Sequence, residues 1–390
     1  MGKSGYAQRD LIKFNFANLD LKGLDFFGNS PPAVFVGRFG YPKVNVGVLS
    51  PTQKEESSYL MDNPKEWAKQ GLKDQDILKL RAQLVNARFQ SSVKNFDSRL
   101  LDLSQEVGMA HKPVDMEISL KNKPKNLLKM ENVAKPLSNN ANVKNIKLTE
   151  NPKIKTVVDK TVSDGDMKSV EGLYKLYNKG MDENFLSKIL SIGLLGKQKN
   201  RRLVPTRWSI TATDDLITKN LLTQVRQNSQ INNYFVFEST YIGNHFVILL
   251  EPGNWEFENF EAWAPGSNWA QGQSVSIIEE YEPFQGRKKY ADKQAGGYYA
   301  ARLGIIEFLS KIKKQARVIS FREISEEYVL PLGVWVVRET VRNAFKSKAS
   351  MFSSRDEAIT YIKTKLKIPF QAYINQSELL KQKKLDYFFN

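Results

Sequence analysis

Cysteine is absent from all 390 residues, and histidine occurs only twice, at His111 and His245. No disulfide, thiolate zinc site, iron–sulfur cluster or cysteine nucleophile can be built from such a chain, and histidine-rich metal sites are excluded with them. Folding must rest on apolar burial and noncovalent pairing. Hydrophobic residues make up 41% and aromatics 11% of the sequence, enough for the cores of two or three domains of ordinary size. A carboxylate site for magnesium or manganese stays open. No apolar run approaches the ~20 residues that span a bilayer, and the first ten residues are polar, so no membrane partner and a cytoplasmic location are expected.

Lys and Arg exceed Asp and Glu by 58 − 42 = 16. An excess of that size points to an anionic partner, nucleic acid first, and so to a nucleoid-associated protein. The charge is unevenly spread. Residues 97–173 contain no aromatic side chain, and residues 111–160 are rich in Lys, Asn and Pro. Strict alternation over residues 114–120 still predicts a half-buried strand there.

Periodicity predicts an α+β chain with an antiparallel β-meander core and flanking helices, plus a smaller α/β C-terminal region and a flexible C-terminal tail. The expected strands are 34–37, 44–49, 235–241, 246–250, 255–263 and 317–321. The expected helices are 63–89, 170–195 with breaks at Gly180 and Gly193, 216–225, 296–312 and 356–366, the last opened by a capping box of Ser354 and Glu357. Residues 334–345 read as a strand or a strand–helix junction. The expected organisation is an N-terminal extension at 1–30, domains at 31–295 and 296–375, and a tail at 376–390.

Several constellations carry chemistry. Gly37 and Gly40 bracket Arg38, with Lys43 close by, where backbone can approach a ligand. Arg201, Arg202 and Arg207 surround Trp208: guanidinium forks suit phosphate oxygens, and an indole face suits base stacking. Asp214 and Asp215 follow at once. They could hold a divalent metal with Glu256 and Glu258, as phosphoryl transfer requires. They could equally cap a helix, and the glutamates could be solvent-facing sheet residues. His245 is a catalytic candidate whose bland reading is structural. Arg302 and Arg322 are framed by apolar residues and need partners, either Glu307 and Glu323 or a bound phosphate. No phosphate-cradling loop, dinucleotide fingerprint or Ser-His-Asp pattern occurs.

Residues 382–390 read Gln-Lys-Lys-Leu-Asp-Tyr-Phe-Phe-Asn. Gln382, Leu385, Phe388 and Phe389 resemble the peptide box that docks on DNA sliding clamps (PCNA). A single 3₁₀ turn would gather Leu385, Phe388 and Phe389 into one apolar plug, with Gln382 bonding at the pocket rim. The alternative is a C-terminal amphipathic helix folded back on the core.

Four longer stretches add a family resemblance: Phe-Val-Gly-Arg-Phe-Gly-Tyr-Pro-Lys-Val at 35–44, Leu-Val-Pro-Thr-Arg-Trp-Ser-Ile-Thr-Ala at 203–212, Gly-Tyr-Tyr-Ala-Ala-Arg at 297–302 and Pro-Leu-Gly-Val-Trp at 331–335. From about Pro31 to the end, the chain resembles the archaeal Nre DNA-repair proteins. The resemblance implies an N-terminal and a C-terminal family region, a repair function and a clamp-binding C-terminal peptide. It implies no catalytic mechanism. Many relatives open with a Cys-rich segment, which this chain lacks. The function expected is a DNA-binding repair factor recruited by the sliding clamp. The alternatives are a metal-dependent nuclease or nucleotide-acting enzyme, and a non-catalytic scaffold.

Overall fold

A computed structural model describes residues 19, 21, 23–125, 129–137, 139–263 and 276–381. It is an α+β chain of two compact units, 1–213 and 214–390. The expected boundary was at 295/296.

The first unit is built on a six-stranded mixed sheet of order β1-β5-β6-β4-β3-β2. Its strands are β1 (Asp25–Ser30), β2 (Ala33–Val36), β3 (Lys43–Pro51), β4 (Leu84–Ser92), β5 (Val114–Leu120) and β6 (Asn140–Leu148). Around them lie α1 (Pro64–Gln70), α2 (Asp74–Ala82), α3 (Arg99–Met109), α4 (Thr156–Ser163), α5 (Ser169–Asn178) and α6 (Glu183–Ser191). Residues 25–30, expected in a surface extension, form β1 and pair with β5. The alternating strand expected at 114–120 is β5, with Val114, Met116, Ile118 and Leu120 buried.

The helix expected over 63–89 is broken twice. Asn63 does cap α1, its side chain accepting from Glu66 N, and Gly71 closes it in the left-handed region. After α2 the chain turns into β4, because residues 84–92 pair along their whole length with β3 and, at Asn86–Arg88, run parallel to β6. That partnership is nonlocal and overrides a local stripe that fits a helix equally well.

The β2–β3 hairpin holds its turn in one shape. Val36 pairs with Val46, Gly37 N donates to Asn45 O at 2.8 Å, and Lys43 N donates to Gly40 O at 2.8 Å. Gly40 has φ +85, and a Cβ there would meet Lys43 O at 2.7 Å, so only glycine fits this turn without strain.

α7 (Thr206–Val225) begins in the first unit and ends in the second. It starts ten residues earlier than the helix expected at 216–225. Asp214 and Asp215 therefore lie inside it and do not cap it.

The second unit has its own six-stranded sheet, ordered β10-β9-β11-β8-β7-β12. The strands are β7 (Tyr234–Tyr241), β8 (Asn244–Glu251), β9 (Glu256–Trp263), β10 (Ser276–Glu282), β11 (Arg317–Ile324) and β12 (Ser350–Phe352). The helices are α8 (Gly296–Ile312), α9 (Trp335–Ala344), α10 (Arg355–Lys365) and α11 (Phe370–Ile374). β7 and β8 form the expected antiparallel hairpin. β9 does not continue that meander: β11 lies between them, antiparallel to β8 and parallel to β9. Residues 335–344 are helical. α10 opens on the expected capping box, Glu357 N donating to Ser354 Oγ at 3.2 Å. The core of this unit joins Val247, Phe260, Phe321 and Tyr373 with Leu379, just before the chain leaves the described residues.

Replacing Gly40 by alanine is expected to lower the unfolding free energy by about 1–2 kcal/mol through the left-handed backbone alone. Denaturant titration of the two proteins measures it.

Candidate nucleic-acid interface

Two segments distant in sequence meet at one surface of the first unit. The β2–β3 turn brings Arg38, Phe39 and Tyr41. The start of α7 brings Arg207 and Trp208. The second segment is fixed by its neighbours: Leu203 N donates to Val93 O at 2.9 Å, Val204 N to Ser191 O at 2.8 Å, and Ser191 Oγ to Val204 O at 2.7 Å. Val36 N then donates to Thr206 Oγ1 at 2.9 Å, tying strand to helix. These bonds hold residues 203–206 in place and so position the start of α7.

Large rings stand in water here. Phe39 is 73% exposed, Tyr41 48% and Trp208 47%. The Tyr41 and Trp208 rings lie 5.5 Å apart at 52°, and the Arg38 guanidinium lies 4.8 Å above Phe39. Glu131 faces both arginines, 3.9 Å from Arg38 Nε and 3.5 Å from Arg207 Nη1. Lys43 and Arg202 are exposed. Arg201 is turned inward, donating to the carbonyls of Gly196 at 2.9 Å and Val162 at 2.6 Å. Elsewhere in this unit Asp62 holds Arg81 at 2.6 Å and Lys135 at 2.8 Å. Burial pushes nearby Lys188 down to about 8, against the pull of Asp62.

Phe39, Tyr41 and Glu131 were not singled out from sequence. The two rings flank a glycine in a turn, where no core is within reach, and that is a readable sign of exposed aromatics. Glu131 is the single acid between Glu117 and Glu150 in a Lys-rich stretch. Only the fold brings it to arginines more than seventy residues away on either side.

The other predicted residues lie in the second unit, and each has an internal partner. Arg302 is buried between Asp215 at 3.0 Å and Glu282 at 2.7 Å, where Glu282 also accepts from Tyr298 Oη at 2.7 Å and Trp255 Nε1 at 3.1 Å. Arg322 bonds Glu261 at 2.5 Å and Asn244 Oδ1 at 2.9 Å. Neither arginine uses the partner expected for it. Glu307 instead holds Arg342, at 2.8 and 2.9 Å, and Glu323 accepts from Lys367 N, Ile368 N and Tyr373 Oη. Asp214 is paired with Arg338 at 2.5 Å. Glu256 takes Arg317 at 2.8 Å and the Tyr281 hydroxyl at 2.5 Å. His245 lies 3.2 Å from Glu238 and 3.7 Å from Glu323. Burial opposes its charge, but those two carboxylates outweigh burial and raise its pKa. Among the described residues no three His, Asp or Glu side chains gather as a metal site. The arrangement can bind an anion at the first unit's surface. In the second unit it neutralises charge internally.

Glu258 is fully buried, not solvent-facing. It caps the segment after α11, accepting from Ser377 Oγ and Glu378 N at 2.5 Å each. Burial lifts its pKa to about 7; those donors pull the other way, and Glu279 adds to the rise. A carboxyl with a folded pKa above its unfolded one favours the folded state most below about pH 4.5. That contribution is lost as pH rises to about 7, an effect of about 3 kcal/mol for a rise of this size. Glu258→Gln is expected to flatten this part of the stability–pH curve, which urea titrations from pH 4.5 to 8 measure. An unchanged slope would assign it to another group.

Among the described residues no helix is long and apolar enough to cross a membrane. Residues 264–275 and the four residues of the peptide box, Gln382, Leu385, Phe388 and Phe389, lie outside the described residues. No solved structure matches the chain. It is 35% identical over 346 residues to DNA repair protein NreA of Haloferax volcanii, covering 87% of this chain and 82% of that one. DNA repair protein NreB of Archaeoglobus fulgidus is 33% identical over 358 residues, covering 92% and 90%. DNA repair protein NreA of the same organism is 38% identical over 333 residues, covering 85% and 83%. Residues 11–270 match the family model described as archaeal Nre, N-terminal, and residues 282–388 the one described as archaeal Nre, C-terminal. With both regions matched in order along nearly its whole length, the chain belongs to the archaeal Nre family.

Proposed function

We propose that this protein is a DNA-repair factor that binds DNA through the surface around Arg38, Arg207 and Trp208 and is brought to the replication sliding clamp by its C-terminal peptide. The observation that carries the DNA-binding reading is the meeting of two part-exposed arginines and three exposed rings at one place, in a chain with a net charge of +16. Relatives that share both family regions are named DNA repair proteins. The clamp reading rests on the sequence of residues 382–389. Three apolar side chains leaving water contribute roughly 1.5–3 kcal/mol each, and ordering a free segment takes back about 2–5 kcal/mol. The peptide alone then binds modestly, and DNA affinity in the body adds to it.

A metal nuclease built on Asp214, Asp215, Glu256 and Glu258 has less support. Three of these acids are engaged by cations, and the fourth by hydroxyl and amide donors. A pure scaffold leaves the exposed rings and arginines without a use.

The test is DNA affinity of the full chain across a salt series. A steep fall of log affinity with log salt is expected, and Arg38→Gln with Arg207→Gln should make the slope shallower, by roughly 0.7–0.9 for each phosphate no longer neutralised. A flat salt response, or an unaltered slope in the double variant, would sink the DNA-binding reading. Truncation before Gln382 is expected to abolish capture by the immobilised clamp and to leave DNA affinity intact. Capture that survives truncation would remove the peptide from the account.

A further inference from the structure

We propose that the surface around Trp208 takes unpaired DNA, and that Glu131 holds the seat of a backbone phosphate until the strand arrives. This rests on the DNA-binding reading above and specifies its ligand. The rings argue for unpaired bases. Inside a duplex each base face is covered by its neighbours, so an exposed indole or phenol finds little to stack on. An unpaired strand offers its faces freely. Tyr41 and Trp208 are too close, at 5.5 Å, to admit a base between them, so bases stack on their outer, solvent-facing sides. Phe39 is steadied by the Arg38 guanidinium at 4.8 Å and is still 73% exposed, leaving ring surface for a further base.

The arginines argue for a phosphate. Elsewhere in the chain arginine–carboxylate pairs are close: 2.7 Å for Arg302 with Glu282, 2.5 Å for Arg338 with Asp214, 2.8 Å for Arg342 with Glu307, 2.6 Å for Arg355 with Glu251. Arg38 and Arg207 share one carboxylate at 3.9 and 3.5 Å, longer than a charge-assisted hydrogen bond. Glu131 offsets one of the two positive charges without filling either fork. A backbone phosphate, whose two non-bridging oxygens sit on longer bonds about a tetrahedral phosphorus, can turn one oxygen to each arginine at shorter range. When it does, Glu131 is displaced towards solvent. The acid thereby lowers affinity for any polyanion, and only a ligand that also stacks on the rings recovers the loss.

The experiment compares a labelled oligothymidylate strand with a duplex of equal length on the full chain, by fluorescence anisotropy at one salt concentration. The strand is expected to bind at least about tenfold tighter than the duplex, and Phe39→Ser, Tyr41→Ser and Trp208→Leu are each expected to weaken the strand by about 5- to 100-fold, the worth of one stacked base. Glu131→Gln is expected to tighten it by about two- to fivefold, the worth of a partly exposed ion pair. Equal or tighter duplex binding with silent ring variants overturns the choice of unpaired DNA, and no gain from Glu131→Gln overturns the phosphate seat. A uridine strand that binds tighter than the thymidine strand overturns DNA as the ligand. Phe39, mostly in solvent, can be changed without disturbing the core, so its variant reads even if Trp208→Leu unfolds. If instead the Arg38 and Arg207 double variant is silent on every DNA, the underlying DNA-binding reading fails, not its refinement.

Discussion

Arginine cannot shed its charge inside a protein, so each buried arginine requires a carboxylate held in register with it. The second unit is organised around that requirement. Arg302, Arg322 and Arg338 lie buried, each aimed at an acid on another element. Such pairs stabilise little compared with apolar packing, but removing one partner strands the other at a cost of about 3–5 kcal/mol. They therefore fix which element meets which more than they add stability. The same constraint separates two groups of arginines. These three of the second unit are buried against acids at 3.0 Å or less. Those of the β2–β3 turn and the α7 start are part-exposed and face one acid at longer range.

Local chemistry was legible in the sequence wherever a segment specifies itself. The Ser354 and Glu357 capping box, the helix at 296–312 and the alternating strand at 114–120 all stand in the structure as read. What was not legible depends on distant partners. Leu84 and Val85 continue a helical stripe from Ile77 and Leu80 until β3 claims them as a strand. β11 enters between β8 and β9 from more than fifty residues away, and no local pattern announces such an insertion. Asp214 and Asp215 look like a cap because their residue types favour caps, but the helix had already started at Thr206.

The candidate surface was half legible. Arg38, Arg207 and Trp208 were visible as residue types suited to phosphate and base. Their juxtaposition was not, because it depends on contacts between distant segments, among them the hydrogen bond from Val36 N to Thr206 Oγ1 across 170 residues. Glu131 is the sharper case. An acid in a basic, aromatic-poor stretch reads as surface decoration, and only the fold gives it two arginines to answer.

The capping of Ser377 and Glu378 by Glu258, with Leu379 sunk in the core, has a geometric consequence. It anchors the chain close to Lys381. Phe389 lies eight residues beyond Lys381, and a stretch of that length reaches at most roughly 28 Å. A partner that gripped Phe388 and Phe389 would be leashed to the second unit at short range. The two bodies would then meet at the high local concentration that so short a connection gives.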